Sequence, residues 1–248
     1  MIIDAHTHIN CDELYQERKE IIQRAIDNKV VAVFNTADSL NSFKNIDILQ
    51  KEYPNYCYGV YGIHPEFASS TNFTEVEEEI KAIGEIGLDY HYPINETEKN
   101  NQKDIFISQI CLAKKLNLPI VIHSRDADKD TFDILCQYAQ DMKVYLHCYS
   151  GSYEMAKEYI KKIPNIHFGV GGIVTFKNAK KLVEVVEKID LKYFLTETDA
   201  PYLTPVPFRG KQNEPSYLIY VINKISELKN MNEVKVEEIL FENAREFF

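Results

Sequence analysis

Short apolar runs alternate with longer amphipathic segments along nearly the whole chain, and this alternation constrains the fold more than any other feature. The apolar runs predict eight strands: Met1–Ala5, Val30–Asn35, Tyr56–Tyr61, Ala82–Leu88, Pro119–His123, Val144–Cys148, Ile166–Val170 and Tyr193–Thr196. Strands separated by helices are typical of parallel pairing through right-handed crossovers. The pattern therefore predicts an α/β fold with a parallel sheet.

The segments between the strands have the period of helices that cover a sheet. They are Glu13–Asn28, Ser39–Tyr53, Phe73–Lys81, Gln102–Leu116, Thr131–Gln140, Tyr153–Lys162 and Ala179–Ile189, followed by Tyr217–Leu228 and Val236–Phe248. In the first of them Leu14, Ile21, Ile22 and Ala25 recur among charged residues. Such spacing places apolar side chains on one face of a helix and charges on the other.

With 248 residues the chain has the length at which eight strands close into a barrel. We therefore expect a (β/α)8 TIM barrel that forms a single domain over residues 1–248. An open, doubly wound sheet is the competing arrangement. It would usually carry a glycine-rich phosphate loop after its first strand. Here that turn carries His6-Thr7-His8 instead, which favours the barrel.

Composition limits the cellular setting and the partners. The net charge of −10 disfavours broad attraction to nucleic acid, although bound divalent cations can reverse the field locally. No stretch has the length of a membrane helix, and the first residues lack the features of a signal peptide. Five cysteines without close pairing are typical of reduced thiols. We expect a cytoplasmic protein with no membrane contact and no obligate protein partner.

Ligand-type side chains recur where the predicted strands end. They are His6, His8, Glu85, His123, His147 and Asp199. In a barrel these positions meet on the carboxyl rim, where active sites of this fold lie. A mixed set of imidazoles and carboxylates suits Zn²⁺, Mn²⁺ or a similar divalent ion. Glu85 stands within an apolar run, and a carboxylate buried there without a cation would be costly.

Each of these residues also has a structural interpretation. A single histidine at a strand end is more often a hydrogen-bonded rim residue than a ligand, and we assign His91 and His167 to that class. Asp199 could simply cap a loop. His64 lies in a tight Gly-Ile-His-Pro turn, where substrate contact and a structural role are as plausible as metal binding. The joint placement of six such residues at strand ends favours the metal site.

Several longer motifs carry a family resemblance. They are Asp4-Ala5-His6-Thr7-His8, Gly62-Ile63-His64-Pro65, Gly84-Glu85-Ile86-Gly87-Leu88-Asp89, Pro119-Ile120-Val121-Ile122-His123-Ser124-Arg125-Asp126-Ala127, His147-Cys148-Tyr149-Ser150-Gly151-Ser152 and Glu197-Thr198-Asp199-Ala200-Pro201-Tyr202-Leu203. With Asn213-Glu214-Pro215 they follow one another along essentially the whole chain. The set resembles the TatD-related metal-dependent deoxyribonucleases, which belong to the amidohydrolase-like superfamily of TIM barrels.

The resemblance implies two divalent ions, such as Zn²⁺, Mn²⁺ or Mg²⁺, and a role for each motif residue. His6, His8 and Asp199 would hold one ion, and His123 and His147 the other, with Glu85 between the two. Glu85 and Asp199 would act in catalysis, and Glu197 would bind an additional ion or a water molecule.

The same resemblance implies where and how the substrate binds. Arg125 and Ser150 would contact phosphate beside His64, although a structural ion pair is nearly as plausible for Arg125. The implied reaction is hydrolysis of a phosphodiester, with DNA as the substrate, cut near a 3′ end by an activated water.

Two other functions use the same residues. The first is a metal-dependent deacylase or amidohydrolase that acts on an ester or amide, for example in an aminoacyl-tRNA, since fold alone does not fix the substrate. The net charge slightly favours a small substrate. The second is a metal-binding barrel without catalysis, which the complete ligand set disfavours.

Overall fold

A computed structural model describes residues 1–68 and 79–248. Within this part of the chain the strands are β1 (Ile2–Thr7), β2 (Val30–Thr36), β3 (Cys57–Tyr61), β4 (Ile80–Asp89), β5 (Ile120–Arg125), β6 (Val144–Leu146), β7 (Ile166–Val170) and β8 (Phe194–Thr196). The helices are α1 (Asp12–Tyr15), α2 (Arg18–Asp27), α3 (Leu40–Glu52), α4 (Glu96–Leu116), α5 (Asp128–Tyr138), α6 (Tyr153–Lys162), α7 (Lys180–Lys188), α8 (Leu218–Lys229) and α9 (Glu233–Phe247). The predicted strands are confirmed, with ends that agree within two residues.

All neighbouring strands pair in parallel and in chain order, from β1 to β8. Beyond the last strand the backbone N–H of Asp199 donates to the carbonyl of His6 at 3.0 Å, and that of His8 donates to the carbonyl of Ala200 at 2.9 Å. Thr198 also donates its hydroxyl to the Asp4 carboxylate, over 2.6 Å. These bonds join the last strand to the first, and the fold is the predicted (β/α)8 TIM barrel.

The barrel interior is apolar and is closed at its amino-terminal end by the last helix. Its buried side chains are Ile3, Ala5, Ala32, Phe34, Val60, Ala82, Val121, Tyr145 and Leu195. Phe247 of α9 packs on Tyr145, with ring centroids 5.8 Å apart, and Phe248 stacks on Phe34 at 3.6 Å. A second, larger core lies between the strands and the surrounding helices. Because apolar packing closes the amino-terminal end of the barrel, functional side chains are expected at the opposite, carboxyl-terminal rim.

The predicted helix Glu13–Asn28 is two helices, α1 and α2, rather than one. Arg18 explains the break, because its guanidinium stacks on the Tyr15 ring and donates to the Tyr15 carbonyl at 3.0 Å. That carbonyl would otherwise accept a helical hydrogen bond. Helix α4 begins six residues earlier than predicted, at Glu96, because Asn95 and Glu98 form a capping box.

The predicted helix Phe73–Lys81 lies mostly outside the described residues, and its last two residues, Ile80 and Lys81, belong to β4 instead. Parallel pairing with β3, in which Ile80 lies opposite Gly59, explains why this segment is extended. Among the helices of residues 1–68 and 79–248, none has the length and apolar character needed to cross a bilayer.

Candidate metal centre

The six side chains predicted as ligands meet at the carboxyl rim of the barrel. His6 lies next to the end of β1, Glu85 within β4 and His123 within β5, while His147 and Asp199 follow β6 and β8. His8 completes the set just after β1. Residues two apart on a strand project to the same side, which is why His6 and His8 reach the same point. Their Nε2 atoms are 3.1 Å apart.

Glu85 lies at the middle of the cluster and is 3 % exposed. Its Oε1 atom is 2.6 Å from His147 Nε2 and 2.7 Å from His123 Nδ1. Its Oε2 atom is turned the other way, 3.4 Å from His6 Nε2 and 3.8 Å from His8 Nε2. The two carboxylate oxygens therefore face two separate pairs of imidazoles.

Asp199 completes the His6–His8 side of the cluster. Its Oδ1 atom lies 3.4 Å from His8 Nε2 and 3.6 Å from His6 Nε2. The other oxygen, Oδ2, accepts from the Cys148 thiol at 3.6 Å. Asp199 adopts a positive φ of 54°, so the chain turns sharply after β8 and brings the carboxylate over the barrel mouth.

The hydrogen bond behind His8 determines which of its nitrogens can bind a cation. His8 Nδ1 is 2.9 Å from the Thr36 carbonyl, which can only accept. Nδ1 therefore carries the proton, and in the neutral ring Nε2 presents its lone pair to the cluster. His123 is arranged in the opposite sense. Its Nε2 atom is 2.9 Å from Asp89 Oδ2, which leaves Nδ1 to face Glu85.

The buried carboxylates control the protonation of their neighbours. Burial acts against the charged form of His8, but the hydrogen bond and charge of Asp199 raise its pKa to about 9. Burial likewise opposes ionisation of Glu85, yet His147 and His123 hold the pKa of that carboxyl well below its usual range. His6 differs from both. Burial and the nearby His147 lower its pKa to about 4.

This donor set fits divalent cations. The ion-pair partners of Glu85 and Asp199 in the described part of the chain are all histidines, so no lysine or arginine neutralises these two buried carboxylates. Two negative charges in a dry site need a positive partner, which the protonated rings of His8 and His123 supply in the ion-free protein and which bound cations would supply when the rings are neutral. Imidazole and carboxylate together are the donors that Zn²⁺ and Mn²⁺ accept. The Nε2 atom of His8 and the Nδ1 atom of His123 both face the region around the Glu85 carboxylate.

His64 lies beside this cluster with its proton directed inward. The backbone N–H of Glu66 donates to His64 Nδ1 at 3.2 Å, so the proton of the neutral ring is on Nε2. That atom is 3.6 Å from Glu85 Oε1. Burial lowers the pKa of His64 to about 4, which keeps the ring neutral. His64 is therefore a hydrogen-bond donor directed at the centre.

The remaining predicted residues lie around or beneath the cluster. Arg125 is exposed, and it forms no ion pair within residues 1–68 and 79–248; its guanidinium lies 5.9 Å from the centroid of the Tyr92 ring. Ser150 is exposed in the loop that follows His147. Glu197 is fully buried, and its two oxygens accept from the Tyr145 hydroxyl and from the Cys148 backbone N–H. Burial raises the pKa of Glu197 to about 7.

Sequence reasoning did not assign a role to Asp89 or Asp4. Asp89 holds the rear nitrogen of His123. Asp4 accepts from the backbone N–H of both His6 and Thr198, at 3.3 and 3.0 Å, so it fixes the strand end that carries His6. Both aspartates stand inside the quoted motifs, and their burial in apolar strands was the available signal.

Comparisons with known proteins place this barrel in a family. The family model described as "TatD related DNase" matches residues 3–248. The "uncharacterized metal-dependent hydrolase YabD" of Bacillus subtilis is 40% identical, with 100% of this chain and 99% of that protein covered. The "uncharacterized metal-dependent hydrolase TatD" of Mycobacterium tuberculosis is 33% identical, with 98% and 96% covered.

A solved structure agrees with these sequence matches. The crystal structure of the TatD homologue YJJV from Escherichia coli superposes with a TM-score of 0.89 at 26% identity, covering 100% of this chain and 97% of that one. A TIM barrel with histidines and carboxylates gathered at its carboxyl rim is typical of metal-dependent hydrolases. This chain belongs to the TatD-related DNase family of metal-dependent hydrolases.

Proposed function

We propose that this chain, acting as a single domain over residues 1–248, hydrolyses phosphodiester bonds of DNA from a 3′ end with the help of two divalent ions. The observation that carries the proposal is the division of the Glu85 carboxylate between two groups of donors, 2.6 Å from His147 on one oxygen and 3.4 Å from His6 on the other. A carboxylate with this placement can bridge two cations. The family description, TatD related DNase, supports DNA as the substrate.

In this proposal His6, His8 and Asp199 hold one ion, and His123 and His147 hold the second. Zn²⁺, Mn²⁺ and Mg²⁺ are the candidate ions. When bound, such ions acidify water, polarise the phosphoryl oxygen and stabilise charge on the leaving oxygen. Glu197 is the candidate for an additional ion or water, although its two oxygens already accept hydrogen bonds.

The side chains of the chain then supply proton transfer and orientation. Burial opposes the charge of Asp199, but in the ion-free protein the adjacent His8 lowers the pKa of its carboxyl. A bound ion would favour the charged carboxylate in the same way, and the ionised Asp199 would take the proton of the attacking water. The water oxygen bonds to phosphorus, the P–O bond to the leaving sugar breaks, and the proton taken from the water by Asp199 passes to the leaving oxygen, so that the alcohol departs and the carboxylate is regenerated. His64 Nε2 can donate to a phosphoryl oxygen at the centre. Arg125 and Ser150 are exposed at the rim and available to the flanking phosphate.

The charge and the thiols fit this function. A net charge of −10 gives no broad attraction to DNA, so the ions and Arg125 would supply the local positive field. All five cysteines are free thiols, which supports a cytoplasmic setting.

The experiment compares three substrates with the metal-depleted protein reloaded with Mg²⁺, Mn²⁺ or Zn²⁺. The substrates are single-stranded DNA labelled at one end, a bis-aryl phosphodiester, and an aminoacyl ester. We expect metal-dependent cleavage of the first two, with DNA shortened from its 3′ end. Cleavage confined to the aminoacyl ester would replace the nuclease with the deacylase, and full activity without metal would refute the metal mechanism.

A further inference from the structure

A cavity of about 350 Å³ lies on the carboxyl rim, next to the metal centre and between the segments that follow β3 and β4. Asp89 forms part of its wall, and the Oδ2 atom of the same residue bonds His123 Nε2 at 2.9 Å. Pro65, which directly follows His64, forms another part. The volume is that of small-molecule sites. A group bound there would lie directly beside a phosphate bound at the metal centre.

The wall of this cavity is suited to a flat, uncharged ring. Pro65, Ala68 and Ile94 supply apolar surface. Tyr92 supplies an aromatic face and is 56% exposed, so its ring is accessible to a bound group. Arg125 lies over the same ring, which holds the tyrosine beside the strand end that carries His123. Aromatic side chains at such places stack on bases.

Charge excludes a second phosphate from the cavity. Its acidic lining residues are Glu66, Asp89 and Glu98, and no lysine or arginine is among the described residues that line it. Carboxylates repel phosphate but accept hydrogen bonds from amino groups. Asn101, exposed on α4, adds an amide that can both donate and accept. A base with an exocyclic amino group meets all of these partners.

We propose that this cavity binds the nucleobase of the nucleotide whose phosphate lies at the metal centre, with Tyr92 as the stacking wall. The inference rests on the proposed phosphodiesterase function and makes it more specific: the enzyme recognises a nucleotide unit and not only a phosphodiester. It also explains why a chain of net negative charge can select a polyanion, since apolar stacking supplies binding free energy that the overall charge does not.

The test compares two phosphodiesters with the same leaving group. Deoxycytidine 5′-(4-nitrophenyl phosphate) carries a base, and methyl 4-nitrophenyl phosphate does not. We expect the wild type to prefer the nucleotide ester by roughly 10-fold or more in kcat/KM. Tyr92→Ala and the cavity-filling variant Asn101→Trp should remove most of this preference, chiefly by raising KM for the nucleotide ester. Hydrolysis of the methyl ester should remain within about twofold.

Tyr202→Ala is the matched control. Tyr202 is also exposed, at 54%, but lies on the other side of the centre, 6.4 Å from the His8 ring. Its loss should change both esters by the same factor. A base preference that survives Tyr92→Ala and Asn101→Trp, or that disappears with Tyr202→Ala, would overturn the inference while leaving the phosphodiesterase intact.

Calorimetry separates the inference from the proposed function. Deoxycytidine 5′-monophosphate and methyl phosphate are titrated into the Mn²⁺-loaded wild type and Tyr92→Ala. If the wild type binds the nucleotide more tightly than methyl phosphate, and Tyr92→Ala abolishes this difference, the base site is supported. This holds even if neither ester is hydrolysed, because failed hydrolysis would refute only the phosphodiesterase function. Equal binding of the two compounds by the wild type would refute the base site.

Discussion

At the scale of single residues, His123 is held at both ring nitrogens. Nδ1 faces Glu85 Oε1 at 2.7 Å, and Nε2 faces Asp89 Oδ2 at 2.9 Å. Asp89 is itself fixed, because its backbone N–H donates to the Gln102 amide and its Oδ1 accepts from the His91 backbone N–H. A carboxylate behind a metal-binding imidazole sets its tautomer and raises its basicity. Asp89 is in this sense a positioning residue for the centre.

Changing Asp89→Asn should weaken one ion site selectively. An amide can keep the ring in place but carries no charge, so His123 becomes a poorer donor. We expect about a 10- to 100-fold loss of affinity for one of two ions, with the other nearly unchanged. Isothermal titration of the metal-free protein with Mn²⁺ measures both. Asp126→Asn is the control, because Asp126 also lies 2.9 Å from a histidine, His91, but is exposed and outside the centre. Equal weakening of both sites by Asp89→Asn would contradict the assignment.

Glu85 should be needed for both ions. Replacing Glu85→Ala removes the carboxylate that faces both imidazole groups, and Glu85→Gln keeps its shape without its charge. We expect both variants to bind fewer ions and to lose at least roughly 100-fold in kcat, with an unchanged circular dichroism spectrum. Metal content by mass spectrometry after purification checks the first expectation. Near-normal turnover in Glu85→Gln would show that the charge of this carboxylate is not required.

At the scale of elements, the pairing of β4 with β5 sets the distance between Glu85 and His123. Gly87 pairs with His123 and has a φ of +148°, a conformation that side-chain-bearing residues rarely adopt. A Cβ at this position would overlap the His123 carbonyl oxygen. Only glycine lets the two strands approach here, directly behind a proposed ligand.

Gly87→Ala should therefore push the strands apart and lower the free energy of unfolding by roughly 2–4 kcal/mol. Urea unfolding followed by circular dichroism measures the change. Gly210→Ala is the matched control, since Gly210 also has a positive φ, of 85°, but nothing lies within 4 Å of its added Cβ. If both variants lost the same stability, backbone strain and not the strand contact would be the cause.

The elements were more readable from sequence than the contacts between them. Eight apolar runs and their order sufficed to predict the barrel, because each strand carries its own pattern. The split at Arg18 depends on a side chain that binds the Tyr15 carbonyl, which no hydrophobic period reports. The early start of α4 was readable from Asn95 and Glu98. The links from Asp89 to His123 and from Tyr92 to Arg125 join residues more than 30 positions apart in the chain, and only the folded chain brings them together.

At the scale of the whole molecule, the two ends of the barrel differ in polarity. The carboxyl rim gathers buried charge around Glu85, and the other end is sealed by Phe247 and Phe248. His167 lies at the sealed end, 5.3 Å from the Phe247 ring, and its Nδ1 has no hydrogen-bond partner in the described structure. A titratable ring in this apolar region links global stability to pH.

His167 should make the fold less stable in acid. Burial lowers its pKa from 6.5 to about 4, against the opposing effect of a backbone hydrogen bond at Asn165 and with a smaller contribution from the charge of Lys143. Above pH 6.5 the ring is neutral in both states and has no effect. Below pH 6.5 the ring becomes protonated in the unfolded chain but stays neutral in the folded protein. The free energy of unfolding therefore falls as the pH drops towards 4, by about 3 kcal/mol in total. His167→Phe should lack this component. Urea unfolding of both proteins between pH 4 and 8 measures it, and parallel curves for the two would show that His167 is not its source.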